Sequence, residues 1–319
     1  MATSKKTTAK TKRPTKSVTK SAAAKSSSAK TASARTTKAR ARKTPAKVVA
    51  APVKSTTTQS DPKSLRKWNM IAAALLFGQA IAIAALSGSA GTRSIVANYL
   101  TLDTLQTKAA GHAVYAQGTH RLFDLNLVYV VIAFLMAGTL AHLAAATWHR
   151  RHYENDLGRN RNALRWVAAA VSGSLVLGAV ALVTGVVDLA SLLMLAALTV
   201  ITALFSHLLE VTKRRTADGE SLKRWVINTI AIAAGLVPWL VIGMYVKDSI
   251  VFGSGLPQYI YWLDGSAFIL FMALAVNLFL SGRGKGRWSS YLFSERVCIA
   301  IAVVLSSAVA WQLFAGILR

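Results

Sequence analysis

Residues 289–318 read SSYLFSERVCIAIAVVLSSAVAWQLFAGIL, and no charged side chain occurs from Val297 to Leu318. A helix of about 20 apolar residues, rising about 1.5 Å each, crosses about 30 Å of hydrocarbon. A run that is apolar on every face is a membrane helix, since a soluble surface helix keeps one polar face. Working outward, six more such runs precede it, near 68–87, 125–147, 166–184, 189–209, 225–246 and 260–280, with the last at 297–318. The third and fourth are separated only by the turn GVVDL at 185–189. The spacing predicts an all-α membrane protein, a bundle of seven transmembrane helices.

The whole chain of 319 residues is 53% hydrophobic yet carries a formal net charge of +26. The two properties occupy different regions. Residues 1–67 hold 19 of the 38 basic residues and one acid, Asp61. Two domains follow: a Lys/Ala/Ser/Thr-rich tail over 1–64 and a membrane domain over 65–319. The tail has no Leu, Ile or aromatic residue. It buries too little apolar surface to offset its ordering entropy and is expected to be disordered. Three roles stay open for it: a cytoplasmic topology determinant, a grip on anionic lipid or nucleic acid through counterion release, or a transit peptide.

Basic residues gather on the cytoplasmic side of multi-pass proteins. The membrane-surface set comprises Arg150, Arg151, Arg159 and Arg161 after the second span, Lys213, Arg214 and Arg215 after the fourth, and Arg283, Lys285 and Arg287 after the sixth. With the tail and neighbouring Arg and Lys, one side holds 33 basic residues and the other five. This predicts a multi-pass protein of the cell (plasma) membrane, N-terminus cytoplasmic and C-terminus external. The external loop at 88–124 contains SIVANYLTL, which favours a short strand. Trp148, Trp166, Trp225, Trp262 and Trp288 fall near span ends, as interfacial anchors do.

Polar groups inside the spans are few. His142 reads as a hydrogen-bonded interhelical histidine or a relay group. Asp264 reads as a solvated helix-end acid or a pocket carboxylate. Asn228, Asn277, Gln79, Ser306, Ser307 and Gln312 read as interhelical hydrogen-bonding groups. Pro238 is expected to kink the fifth span. His149, His152 and Glu154 in HRRHYEND, 149–156, are the nearest thing to a metal-ligand group, but headgroup contact suits this basic loop better. No metal site and no catalytic residue is assigned. Cys298 has no second cysteine to pair with.

The last span, with Glu295, Arg296, Ala310, Trp311, Gln312, Phe314, Gly316 and Leu318, resembles the C-terminal helix of heliorhodopsins. GRGKGRW at 282–288 resembles that family's linker, and LRWVAAAVSGS at 164–174 resembles its third helix. Asn69, Gln79, LAHL at 140–143, Gly185, Asp188, LF at 204–205, Glu210 and GLVPW at 235–239 match in order, so that the likeness covers about 65–318. It implies a rhodopsin-like bundle with a cytoplasmic N-terminus, and it points to a homodimer.

The resemblance also implies a retinal held as a Schiff base, and here the chain departs from the pattern. The lysine position, five residues before Trp311, is Ser306; the counterion position, two after Trp166, is Ala168. The tyrosine that follows the counterion is Ala169, and a first-span histidine is Leu76. An imine needs an amine inside the bundle and a carboxylate beside it. Covalent retinal is therefore not expected. Two functions remain open: a scaffold or signalling protein acting through an unidentified protein partner, lipid or its tail, and a receptor for non-covalent retinal, carotenoid or another apolar ligand. The candidate pocket for the latter is His142, Trp239, Asp264, Ser266 and Trp311. A light sensor, an ion transporter and an enzyme are disfavoured, since no set of ionisable groups crosses the spans and no nucleophile–base pair shares a depth.

Overall fold

The computed structural model describes residues 62–88, 91–212 and 221–319. The tail over 1–61 and the basic residues Lys213, Arg214 and Arg215 lie outside the described residues, as do the side chains of Lys223 and Trp225. Among the described residues, seven helices are long and apolar enough to cross a membrane. They are α1 (Pro62–Leu86), α3 (Leu127–Ala146), α5 (Ala163–Thr184), α6 (Leu189–Thr212), α7 (Ser221–Phe252), α8 (Gln258–Arg283) and α9 (Tyr291–Leu313). A π-helical turn, Phe314–Leu318, extends α9.

The helices close into a ring. α1 packs on α3, α3 on α5, α5 on α6 and α6 on α7, while α8 packs on α9 and α9 returns to α1. α7 meets α8 through aromatic rings: Trp239 lies 5.4 Å from Phe268 and 5.7 Å from Phe271, centroid to centroid. Phe134, Leu135 and Val131 of α3, Val180 and Ala181 of α5, Leu76 and Ile83 of α1 and Val309 and Leu313 of α9 form the core. Large apolar residues on the outer faces, among them Ile81, Leu193, Leu240 and Ile269, stay exposed, as a lipid solvent requires.

The loop of 88–124 holds two strands where the sequence promised one. β1 (Thr92–Leu102) pairs antiparallel with β2 (Tyr115–Asn126), from Thr92↔Asn126 to Leu102↔Tyr115, with an irregularity at Ile95/Val96. β2 alternates little between apolar and polar residues, so its pairing partner decides it. At the tip, α2 (Thr104–Ala110) is capped by Asp103, whose carboxylate accepts from the Leu105 and Gln106 amides at 3.0 Å. Val96 N donates to Val187 O at 3.0 Å, which ties β1 to the α5–α6 turn. That turn needs Gly185, at φ +115°, a conformation other residues enter only with strain. Asp188 then caps α6.

Several boundaries differ from those read in the sequence. α1 starts at Pro62, inside the assigned tail. HRRHYEND is helical, as α4 (Arg150–Gly158), because Tyr153 and Leu157, one turn apart, both bury. α9 starts at Tyr291, six residues before the apolar run, so Glu295 and Arg296 belong to the helix. α7 runs 32 residues with Pro238 inside it.

Candidate functional site

The end of the bundle opposite the hairpin carries a buried polar cluster that the sequence reading did not assemble. Asn162 caps α5 by accepting from the Arg165 amide at 3.0 Å. This sets Arg165 in the first turn of α5 with only 14% of its side chain exposed. Its Nη1 pairs with Glu295 of α9 and its Nη2 with Glu210 of α6. The carboxylates are held from several sides. Asn162 Nδ2 donates to Glu295 at 2.6 Å, and its backbone amide donates to Glu210 at 3.1 Å. Trp166 Nε1 and Tyr291 Oη donate to Glu210 at 2.7 and 3.0 Å. The Arg165 guanidinium also lies 4.6 Å from the centre of the Trp166 ring. Beside this, Trp288 Nε1 donates to Asn277 Oδ1 at 2.8 Å, and Asn277 Nδ2 donates to Ser294 O at 3.0 Å.

Trp166 and Trp288 are thus not free interfacial anchors: their indole N–H groups satisfy buried acceptors. Trp148 and Trp262 are exposed. Arg165 and Arg296, counted in the sequence as loop cations, lie within helices. Arg296 Nη2 donates to Ser64 at 3.2 Å, which joins α9 to the start of α1.

A second polar group lies at the same end. Asn69 of α1 donates to Tyr153 Oη of α4 at 3.1 Å and meets Nδ1 of His142 in α3 at 2.8 Å. Desolvation, reinforced by the nearby Glu295 charge, pushes the Tyr153 phenol well above its usual range. His149 and His152 stack with centroids 4.9 Å apart, while Glu154 binds Arg150.

The remaining candidate residues sit nearer the hairpin. Asp264 of α8 accepts from the Thr184 hydroxyl of α5 at 3.1 Å. Ser266 accepts from Gln312 Nε2 of α9 at 2.9 Å. Trp239 lies against Phe268 and Phe271, and Trp311 against Phe314. The five pocket candidates are therefore not one group, because His142 belongs to the opposite end. On α9, Glu295 and Gln312 are 17 residues apart, about 25 Å along the helix axis. Among the described residues, the ionisable side chains of α6 and α9 between those levels are His207, three residues before Glu210, and Cys298; the other polar groups there are mostly hydroxyls.

Ser306 is buried on α9, and Ala168 is half-buried on α5. Leu76 is core and approaches Gly138 closely enough that a Cβ there would lie 2.9 Å from it. A serine hydroxyl cannot form an imine, and neither side chain carries charge, so these residues do not fit a covalently held retinal. Lys67 is exposed at the start of α1. Lys247 has 69% of its side chain exposed and pairs with Asp248. Neither offers an amine to the interior.

Among the basic surface residues, Arg150 pairs with Glu154 and Arg161 with Asp156 at 2.6 and 2.8 Å. Arg151, Arg159, Arg283, Lys285 and Arg287 are exposed. The Arg283 and Arg287 guanidiniums lie over Phe279 and Phe293. The two clusters differ in legibility. Glu210 and Glu295 entered the sequence reading only as positions of the family resemblance, and their common partner was hidden as one arginine among many.

No curated protein matches the chain. The family model named Heliorhodopsin matches residues 65–318, which takes in part or all of each of the seven helices, and the chain belongs to the heliorhodopsin family.

Proposed function

We propose that this heliorhodopsin-family protein acts as a membrane scaffold or signalling protein that works through partners, without a covalent chromophore. The observation that carries the reading is Ser306 at the position the resemblance gives to the lysine, with Ala168 at the counterion position. The loss is coherent: a carboxylate kept without its cation would be a buried unpaired charge. Proton or ion pumping is outside the reading, since His207, one turn inward of Glu210, and Asp264, near the hairpin end, do not form a continuous chain of ionisable relays. The reading places the protein in the cell membrane with the N-terminus cytoplasmic, its basic tail available to anionic lipid or nucleic acid. Purified protein incubated with all-trans-retinal should show no visible band that borohydride traps on the chain. A covalent adduct found by mass spectrometry overturns the reading.

A second reading is a receptor for non-covalent retinal, carotenoid or a similar apolar ligand. The aromatic contact of Trp239 with Phe268 and Phe271, beside the Ser266–Gln312 pair, favours it. A retinal or carotenoid spectrum shifted by the protein, unaffected by hydroxylamine and without an adduct, supports this reading over the first.

A further inference from the structure

A groove of about 670 Å³ opens at the start of α1, lined by Arg66, Lys67, Met70, Ile71 and Arg150. Its composition changes with depth. Arg66 and Lys67 precede Met70 and Ile71 by four residues, about 6 Å along the helix axis. The pairs share one face, because residues four apart stack on a helix. Met70 and Ile71 are 43% and 58% exposed and lie in the membrane-crossing part of α1. Arg150 approaches from the start of α4. Its Nε is engaged by Glu154 at 2.6 Å, which holds the guanidinium at the edge of the groove.

A second hollow of about 520 Å³ shares Arg150 and adds Arg151, Glu154, Thr147 and the exposed Trp148. Cations from two separate helices thus stand above an apolar wall, with an aromatic residue at the same level.

We propose that this groove is a binding site for one anionic phospholipid. The phosphate sits between Arg66, Lys67 and Arg150, and an acyl chain runs along Met70 and Ile71. Three observations select a lipid. The cations sit at the end of a membrane span, the wall below them is apolar, and Glu154, the only acid lining the two hollows among the described residues, is already paired. A guanidinium and an ammonium suit phosphate oxygens. Clustered cations at the membrane surface each add to the attraction for an anionic headgroup. A soluble phosphate would gain nothing from Met70 and Ile71.

The test uses the full-length protein in micelles doped with phosphatidylglycerol or phosphatidylcholine of identical chains, read by native mass spectrometry. Wild type should retain phosphatidylglycerol in preference to phosphatidylcholine. The variant Arg66→Gln/Lys67→Gln/Arg150→Gln should bind it at least about tenfold more weakly. Removing the same charge elsewhere, with Arg283→Gln/Lys285→Gln/Arg287→Gln, should leave retention unchanged. Any contribution from the basic tail is common to all three proteins.

Equal losses in the two triple variants would mean diffuse surface attraction and overturn the proposal, as would the absence of any headgroup preference in wild type. Displacement of the lipid by millimolar glycerol 3-phosphate would indicate a plain phosphate site and overturn it too. If the first variant unfolds earlier than wild type in phosphatidylcholine, the exposed Lys67→Gln alone carries the test. It should weaken retention in the same direction, and unchanged retention counts against the site.

Discussion

Arg165, in the first turn of α5, is ion-paired through Nη1 with Glu295 of α9, 130 residues further along the chain. Its other terminal nitrogen holds Glu210 of α6, so one side chain fastens three helices where the membrane interior begins. Two carboxylates around one cation are tolerable only because Asn162, Trp166 and Tyr291 donate to them.

Replacing Arg165 by Met leaves both carboxylates buried without a cation, and the fold should lose about 3–5 kcal/mol. Thermal unfolding in detergent measures this as a lower midpoint. Adding Glu210→Gln and Glu295→Gln to Arg165→Met should recover much of the loss, because the unpaired charges then disappear. A triple variant no more stable than Arg165→Met would mean that the charges are not the source of the cost.

On the proposed reading, covalent pigment formation needs a lysine at position 306 and a carboxylate at position 168. Ser306→Lys with Ala168→Glu should give a visible band with retinal that borohydride fixes to the chain. Ser306→Lys alone should give little, since its imine cation has no facing carboxylate. A full-strength visible pigment from the single substitution would show that another group serves as counterion.

Asp188 offers a pH-dependent test at the hairpin end. The Ser191 backbone amide, donating at 2.8 Å, holds its carboxyl below the ordinary carboxylate range, and the Ser191 hydroxyl adds to this. A carboxylate with a lowered folded-state pKa stabilises the fold above its unfolded pKa. That contribution fades as pH falls through the folded value. Asp188→Ala should therefore destabilise by about 0.5–2 kcal/mol near neutrality, the usual range for a lost helix cap. The gap to wild type should shrink in acid. An unfolding difference that is the same at neutral and strongly acidic pH rules out the charged cap as its cause.

Reporter fusions at Met1 and after Arg319 should lie on opposite sides of the membrane, with the N-terminal one inside. An odd number of spans puts the two ends on opposite sides, and the charge count of 33 against five favours the N-terminus inside. Both reporters on one side would mean that one of the seven helices does not cross.

The number and order of the spans were legible in the chain, because an uninterrupted apolar run of membrane length has one stable environment. So was the family, since Glu295, Trp311, Gln312 and Gly316 stand at spacings that need no folding to be read. Ser306 and Ala168 are likewise read from the sequence, and their equivalence to the lysine and counterion positions belongs to the proposed reading. Gly316 acquires its physical reason only in three dimensions: a Cβ there would overlap the Tyr259 ring of α8.

Tertiary structure alone decided which polar residues meet. Arg165 looked like one more cation of a basic loop, and Trp166 like an anchor, until the Asn162 cap placed both in helix facing Glu210 and Glu295. His142 could not be separated from the other pocket candidates until Asn69 fixed it at the opposite end. The second strand of the hairpin was hidden for the same reason. Periodicity and charge describe a residue's relation to its solvent, whereas hydrogen bonds and ion pairs depend on partners that only packing brings within 3 Å.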